Sequence, residues 1–356
     1  MSPLTLEYVL PLRCEPGADP DRAVELAAYL ERLSTWVDVT VVDGSPAPVW
    51  ARHDSLFPEG VRHVVPRPWP GRNGKVAGVM TGVRLARHER VVLADDDVRW
   101  DRAGLARLHR LLDEADLVRP QNVFVPAPWH ARWDTARSLL NRALGADHPG
   151  TYGLRRDALL DAGGYDGDVL FENLELGRTL VAAGGRELVV ADLFVVRRPP
   201  SVEEFLHQRV RQAYDDLAEP ARLVVEAALL PVVAVLVRLA ARPATRRTGL
   251  GGLAGLTAAA VLLAEGGRRR AGGLAVYAPT AALWAPLWLA ERAVCVWLAL
   301  LARVRGGVRY RGERLRLAAH SPRVLRARLA HAPGRLRVAP FLLPRADAST
   351  GEARLR

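Results

Sequence analysis

Three aspartates, Asp95, Asp96 and Asp97, stand side by side directly after the apolar run VVLA. Adjacent carboxylates repel one another, so a cationic ligand is a natural reason for the cluster. In an extended segment alternate side chains point the same way, and Asp95 and Asp97 then face one ligand while Asp96 turns aside. Two carboxylates aimed at one point suit Mg²⁺ or Mn²⁺, completed by water and phosphate oxygens. A solvated acidic turn is the alternative.

A second apolar run, VTVV, also ends in a carboxylate, at Asp43. Strand-like and helix-like patterns alternate through the first 218 residues. Strands are predicted at 5–12, 37–43, 61–65 and 90–95, and helices at 21–33 and 75–88. This order predicts an α/β fold with a largely parallel sheet. Because such sheets bind ligands at the carboxyl ends of their strands, Asp43 and the three aspartates are expected at one edge.

The chain has one lysine, Lys75, among its 50 basic residues. It lies in the Gly-rich segment GRNGKVAG, ahead of a predicted helix. Backbone N–H groups and a compact ammonium at such a turn can approach a phosphate or a ribose. A surface lysine without a ligand is the alternative.

The charge is unevenly distributed along the chain. Residues 1–218 hold 27 basic and 32 acidic side chains, whereas residues 219–356 hold 23 basic and 7 acidic ones. The basic part contains three apolar stretches, at 223–241, 249–264 and 271–290. About 20 apolar residues are needed to span a bilayer. The composition therefore predicts three regions: an α/β domain at 1–218, membrane-associated helices at 219–305 and a basic tail at 306–356.

A basic region suggests either nucleic acid or anionic lipid as its partner. Apolar stretches of this length do not belong on a nucleic-acid face, so a nucleic-acid partner is excluded in favour of the membrane. Arginines follow each stretch, and the positive-inside rule therefore gives no orientation. Two or three crossings, a partly interfacial arrangement and a soluble helical bundle stay open.

The two cysteines form no metal-binding spacing and indicate a reducing compartment.

Taken together, residues 5–218 resemble the family 2 GT-A glycosyltransferases, and within them membrane-bound enzymes like ceramide glucosyltransferase. Five motifs occur in the order expected for that family. They are Asp43, the step Asn73-Gly74-Lys75, the aspartates Asp95 to Asp97, the stretch 153–185 with its Gly163-Gly164 pair, and Gln208 with Arg211 in HQRVRQ. The resemblance implies a Rossmann-like nucleotide-binding GT-A domain followed by a helical membrane region.

The same resemblance implies an inverting transfer from a nucleotide-diphosphate sugar, UDP-linked in similar enzymes, to a hydroxyl of a membrane lipid. The catalytic domain is then expected on the cytosolic side of the inner membrane. Donor-site residues implied by the motifs are Asp43, Lys75, Asp95 and Asp96. Asp95 and Asp97 are implied as ligands of Mg²⁺ or Mn²⁺, and Gln208 and Arg211 as residues that close over the diphosphate. His148, Tyr152 and Arg155 flank the segment where the family builds its acceptor cleft.

Two positions depart from the family pattern. Asn173 stands where the family has the aspartate that takes the acceptor proton, and an amide is no base at neutral pH. Glu172 or Glu175 is the predicted substitute, although Glu172 could instead cap the helix or pair with an arginine. Gln212 replaces an expected tryptophan, with Tyr214 nearby as a possible aromatic surface.

These departures leave two other functions open. The chain could be a catalytically inactive sugar-nucleotide-binding membrane protein, and a base facing the cleft is the feature that distinguishes the two. A metal-dependent nucleotidyltransferase would share the sheet, the acidic metal ligands and the nucleotide. It would not explain the segment FENLEL or the apolar helices.

Overall fold

The computed structural model describes residues 3–310 and 312–331. Its main sheet has eight strands: β1 (Glu7–Leu12), β2 (Asp38–Asp43), β3 (Val61–Val64), β4 (Arg90–Ala94), β5 (Val98–Arg99), β6 (Leu117–Phe124), β7 (Thr151–Arg155) and β8 (Glu187–Arg197). The helices around it are α1 (Pro20–Ser34), α2 (Ala47–Leu56), α3 (Gly74–Leu85), α4 (Arg102–Leu111), α5 (Trp129–Leu144), α6 (Arg156–Asp161), α7 (Glu172–Ala182) and α8 (Val202–Asp215).

The strand order is β3-β2-β1-β4-β7-β6-β8-β5. The first four strands are parallel to one another, as their alternation with helices predicts. The second half of the sheet is mixed, because β7 runs antiparallel to both β4 and β6. The predicted α/β fold is therefore confirmed, with a sheet that is less uniformly parallel than the pattern suggests.

Apolar residues of the strands are buried on both faces of the sheet. One core cluster joins β1 and β2 to α1 and α4, and includes Tyr8, Leu30 and Leu105. The other places Val76, Val79 and Val83 of α3 against the opposite face. Burial on both faces explains why the strands read as nearly continuous apolar runs rather than alternating ones.

Three long helices follow: α9 (Pro220–Ala241), α10 (Arg246–Arg269) and α11 (Ala285–Val304). Together with short flanking turns, each is long and apolar enough to cross a membrane. In α9 the only buried residue is Glu226, so nearly all of its apolar surface faces outward. A soluble bundle would bury such side chains, and this exposure therefore favours a membrane environment.

The third apolar stretch was predicted too early in the chain. Residues 271–284 contain only two short 3-10 turns, and α11 begins at Ala285. Gly272 adopts the left-handed conformation at φ 73°, and Pro279 lacks an N–H group, so the helix cannot continue through this region. The helix consequently includes Glu291 and Arg292. Arg292 is fully buried and donates to Asp216 at 2.8 Å, which offsets the charge inside an apolar helix.

The chain after α11 returns to the catalytic domain. Strands β9 (Val308–Tyr310) and β10 (Glu313–Leu315) form a hairpin, and α12 (Pro322–His331) follows. Backbone N–H groups of Leu170 and Phe171 donate to the carbonyls of Leu317 and Ala318. The first part of the predicted basic tail is therefore structured, while residues 332–356 lie outside the described residues.

Arg142 connects the helical region to the catalytic domain. Its buried guanidinium donates to the carbonyls of Ala191, Gly267 and Arg270, at 2.7, 3.2 and 2.5 Å.

We expect Arg142→Ala to lower the free energy of unfolding by about 2–4 kcal/mol, because three carbonyls lose their donor. Thermal unfolding in detergent measures this loss. Arg132→Ala, on the exposed side of α5, is the control, and equal melting of the two variants would contradict the prediction.

Candidate active site

A cavity of about 780 Å³ lies beside the ends of β1, β2 and β4. Seven of the nine predicted site residues line it: Lys75, Asp95, Asp96, Asp97, Glu172, Gln208 and Arg211. They come from α3, the loop after β4, α7 and α8, so the fold brings together motifs that are far apart in the sequence. Asp43 and Glu175 do not line this cavity.

The three aspartates lie on a tight turn rather than on an extended segment. The backbone N–H of Val98 donates to the carbonyl of Asp95 at 3.1 Å, which reverses the chain between β4 and β5. Arg197 contacts both Asp97, at 2.6 Å, and Asp95, at 3.7 Å. Asp96 points to Arg22 instead, at 3.3 Å. Asp95 and Asp97 therefore share one neighbour, and Asp96 turns aside, as the sequence predicted. The extended backbone on which that prediction was based is wrong.

Asp97 has an incomplete set of partners. One of its oxygens accepts from Arg197, while the buried Oδ1 atom has no hydrogen-bond partner. Burial, together with the charges of Asp95 and Asp96, raises the pKa of Asp97 to about 6 against the opposing effect of Arg197. An orphaned buried carboxylate oxygen is a position that a divalent cation would satisfy. The residues present therefore fit a metal.

The protein itself supplies two close ligands at this point. The residues described include one trio of potential ligand atoms within mutual reach, Glu7, Asp38 and His88, and it lies outside the cavity. Glu7 already accepts from Thr40 and from the backbone of Arg87. A metal held by Asp95 and Asp97 would thus take its remaining ligands from water and from the phosphates of a donor, as Mg²⁺ commonly does.

Lys75 joins the acidic turn to α7. Its Nζ atom lies 2.5 Å from Asp95 Oδ1 and 2.6 Å from Glu172 Oε1. Asn73 caps α3 by accepting from the backbone N–H of Lys75, which fixes the start of the helix. Although burial opposes it, the two carboxylates hold the pKa of Lys75 well above its usual value. The ammonium therefore carries a full charge in the centre of the cavity.

The two predicted bases of α7 have different surroundings. Glu172 lines the cavity, with Oε1 on Lys75 and a buried Oε2 that has no hydrogen-bond partner. Burial and the neighbouring charge of Asp95 raise the pKa of Glu172, opposed by Lys75. Glu175 is fully buried, and its two oxygens meet the backbone N–H and the ring of His320 at 2.7 and 2.8 Å. Only Glu172 is placed to meet a substrate.

The aromatic surface of the cavity comes from a residue that the sequence did not single out. Tyr214, the suggested replacement for the family's tryptophan, is fully buried and donates to the carbonyl of Arg316. Tyr310 of β9 lines the cavity instead, with the guanidinium of Arg211 5.2 Å from the centre of its ring. The pair Gly306-Gly307 before this segment and Gly312 between its two short strands are a hairpin signal that could have located it.

Asp43 is enclosed by two histidines. His53 Nδ1 and His63 Nε2 lie 2.6 and 3.2 Å from the same carboxylate oxygen, and the backbone of Ser45 donates to the other. Despite burial, these bonds hold the pKa of Asp43 well below its usual range. The carboxylate has no exposed surface, so in this structure it organises the loop after β2 from beneath the cavity.

The same contact makes stability depend on pH. The hydrogen bond to Asp43 raises the pKa of His53 to about 9. A raised histidine pKa stabilises the fold fully below about pH 6.5, and we expect 2–3 kcal/mol, as an order of magnitude, to be lost as the pH rises to about 9. Melting curves across this range measure the slope. His53→Gln should flatten the dependence of the melting temperature on pH, and His207→Gln, at an exposed position of α8, should leave it unchanged. An unchanged slope in His53→Gln would contradict the argument.

Comparison with known families agrees with this geometry. Residues 41–215, just under half of the chain, match the family model described as glycosyltransferase like family 2. This region is similar to the glycosyltransferases of that family. The matched range includes six of the eight strands of the main sheet, the end of β2, and every predicted donor-site and catalytic residue. The expected GT-A-like α/β fold is confirmed for this region.

Three solved structures are among those that match this chain at low sequence identity. The mannosyltransferase PcManGT from Pyrobaculum calidifontis, in complex with GDP-Man and Mn²⁺, is 19% identical with a TM-score of 0.47, over 84% of this chain and 87% of that one. A mycobacterial protein is 18% identical, with a TM-score of 0.38 and coverages of 56% and 69%. Mannosyl-3-phosphoglycerate synthase from Rubrobacter xylanophilus is 16% identical, with a TM-score of 0.37 and coverages of 57% and 70%. None of the curated proteins matches the chain significantly.

Proposed function

We propose that this protein is a glycosyltransferase that moves a sugar, with inversion, from a nucleotide-diphosphate sugar to a hydroxyl group of a membrane lipid. One observation carries the proposal: Glu172 lines the cavity that also holds Asp95 and Asp97, and one of its carboxylate oxygens, which is buried, has no hydrogen-bond partner. A raised pKa suits a general base that works near neutral pH. The family resemblance favours a UDP-linked donor.

In the proposed reaction the acceptor oxygen attacks the anomeric carbon from the face opposite the diphosphate. Glu172 accepts the hydroxyl proton, a new C–O bond forms, and the bond to the diphosphate breaks with its electron pair leaving on the phosphate oxygen. Lys75 holds Glu172 by its other oxygen and so aims the free oxygen at the acceptor. Arg211, supported by Tyr310, supplies positive charge toward the leaving group.

Asp95 and Asp97 would hold a divalent cation, Mg²⁺ or Mn²⁺, which neutralises charge on the diphosphate when it is bound. Arg197 keeps both carboxylates in place from the opposite side. Asp43 acts beneath the donor site by fixing the loop that contains Gly44, a residue of the cavity wall.

The proposal is tested by following nucleotide release. Membranes that carry the full chain are incubated with UDP-, GDP- and other nucleotide sugars, Mn²⁺ or Mg²⁺ and a total lipid extract. Release that depends on both metal and lipid, with the sugar recovered in the lipid phase, supports it. Metal-dependent nucleotide binding without release from any donor would favour the inactive binding protein instead.

We further propose that the protein lies on the cytosolic side of the inner membrane with its long helices partly interfacial. α9 and α10 form an antiparallel pair, with Leu236 of α9 close to Gly252 of α10. The far end of this pair carries three arginines, Arg242, Arg246 and Arg247, which favour the cytosolic side. Since the near ends contact the catalytic domain, the pair would then lie in the interface plane rather than cross the bilayer.

A cysteine at the tip tests this arrangement. Ala244 lies between the tip arginines and is exposed, and both native cysteines can be replaced by serine. We expect an impermeant maleimide to label Ala244→Cys in inverted vesicles but not in intact spheroplasts. Labelling in intact spheroplasts would show that the helices cross the membrane. A cysteine at exposed Glu203 of the catalytic domain is the control for sidedness.

A further inference from the structure

A second cavity, of about 900 Å³, lies between the catalytic domain and the long helices. Its walls come mainly from α5, α7, α9, α10 and α11, and they combine apolar side chains with charged ones. They include Leu174, Val181, Leu229, Leu256, Leu263 and Trp288. α9 and α10 are exposed along most of their length and would contact lipid. The same two helices supply apolar walls to this cavity. An apolar chain is the occupant that such walls favour over water.

The two cavities share two residues, His148 and Asn173. Asn173 directly follows Glu172 in α7, so the shared wall lies next to the proposed base. The side-chain amide of Asn173 donates to the carbonyl of Pro149 at 3.3 Å. Arg119 donates to His148 Nδ1 at 3.1 Å. These contacts fix both side chains at the junction, where the polar end of a ligand would meet the apolar remainder.

We infer that the second cavity binds the hydrocarbon chain of the acceptor lipid, and that His148 and Asn173 place its hydroxyl beside Glu172. This inference rests on the proposed function and adds the location of the acceptor. It also gives Asn173 a task in place of proton transfer: an amide at this junction can donate to and accept from a hydroxyl without taking its proton. Proton transfer and acceptor binding are then assigned to two neighbouring residues, Glu172 and Asn173, instead of to a single residue.

The expected acceptor is a lipid with a free hydroxyl. Glu172 and Glu219 flank the junction on its two sides. Arg119 is already engaged with Glu187 and His148. A hydroxyl at this junction would meet side chains that can donate and accept hydrogen bonds.

Two neighbouring alanines of α10 provide a matched pair of variants. Ala259 lines the second cavity, whereas Ala258 lines neither cavity, and both are exposed. Tryptophan at 259 would fill part of the cavity, and tryptophan at 258 would project elsewhere. Since each buried methylene contributes substantially to binding, we expect Ala259→Trp to raise the half-saturating concentration of the lipid extract about tenfold. Ala258→Trp should leave it unchanged, and neither should alter the KM of the donor.

A second measurement needs no turnover. The full chain is placed in vesicles that contain a diacylglycerol with a diazirine in one acyl chain, and cross-linked peptides are mapped after illumination. We expect labels at 174–182 and 256–263, reduced severalfold in Ala259→Trp and retained in Ala258→Trp. Labels confined to the outer faces of α9 and α10, or equal labelling of the two variants, would overturn the inference. Because no sugar is transferred, this result is independent of whether the proposed reaction occurs.

Discussion

Glu172→Gln is expected to reduce sugar transfer about 10³-fold, because general base catalysis typically contributes 10²–10⁴-fold to a rate. The substitution keeps an oxygen for Lys75, so the cavity should retain its shape and its affinity for the donor. The measurement is the transfer rate at saturating lipid, together with the dissociation constant of the nucleotide. A loss in rate without a loss in binding assigns Glu172 to proton transfer.

Glu175→Gln is the matched control on the same helix. Its carboxylate is enclosed by His320 and does not reach the cavity, so the variant should keep its transfer rate within a few-fold. It should lose stability instead, because a charge-assisted contact between buried groups becomes weaker. Full activity in Glu172→Gln combined with an inactive but folded Glu175→Gln would reverse the assignment of the base.

Asp97→Asn is expected to reduce transfer at least 100-fold, the scale on which one electrostatic contact to a developing charge acts. The amide keeps the shape of the side chain while it removes the negative charge that suits a divalent cation. The loss should appear as a higher requirement for Mn²⁺ or Mg²⁺ and as weaker metal-dependent nucleotide binding by calorimetry.

Asp96→Asn tests whether transfer depends on the proposed metal ligands or on the total negative charge of the turn. Asp96 contacts Arg22 near the surface and not Arg197, so its loss should cost at least tenfold less than that of Asp97. If transfer by Asp97→Asn depended on the metal concentration as transfer by the unmodified protein does, the assignment of the metal site to this turn would be wrong.

Local patterns predicted much of the catalytic domain. Apart from α2, which was not predicted, the strands and helices up to β4 lie where apolar periodicity indicates them, because each is buried along a face that the sequence itself displays. The aspartate cluster was located by the apolar strand before it. The turn that shapes the cluster depends on one backbone hydrogen bond between Val98 and Asp95, which no residue type announces.

The site contacts that were missed are non-local. Lys75 meets Glu172 across nearly a hundred residues of sequence, and its Gly-rich turn suggested a phosphate rather than two carboxylates. Tyr310 and Glu313 reach the cavity from beyond the last long helix. Spacing rules describe neighbours along the chain, so they cannot predict such pairs without the folded topology.

The hairpin after α11 also fixes the order in which the enzyme can mature. Tyr310 and Glu313 complete the cavity wall, and residues 317–320 hold the start of α7 and the carboxylate of Glu175. All of these residues are synthesised after the long helices. A nascent chain that has emerged only through residue 300 has its acidic turn and its lysine but no finished cavity. The candidate active site is therefore completed only after the long apolar helices have left the ribosome, and a C-terminal truncation that removes these helices also removes part of the cavity wall.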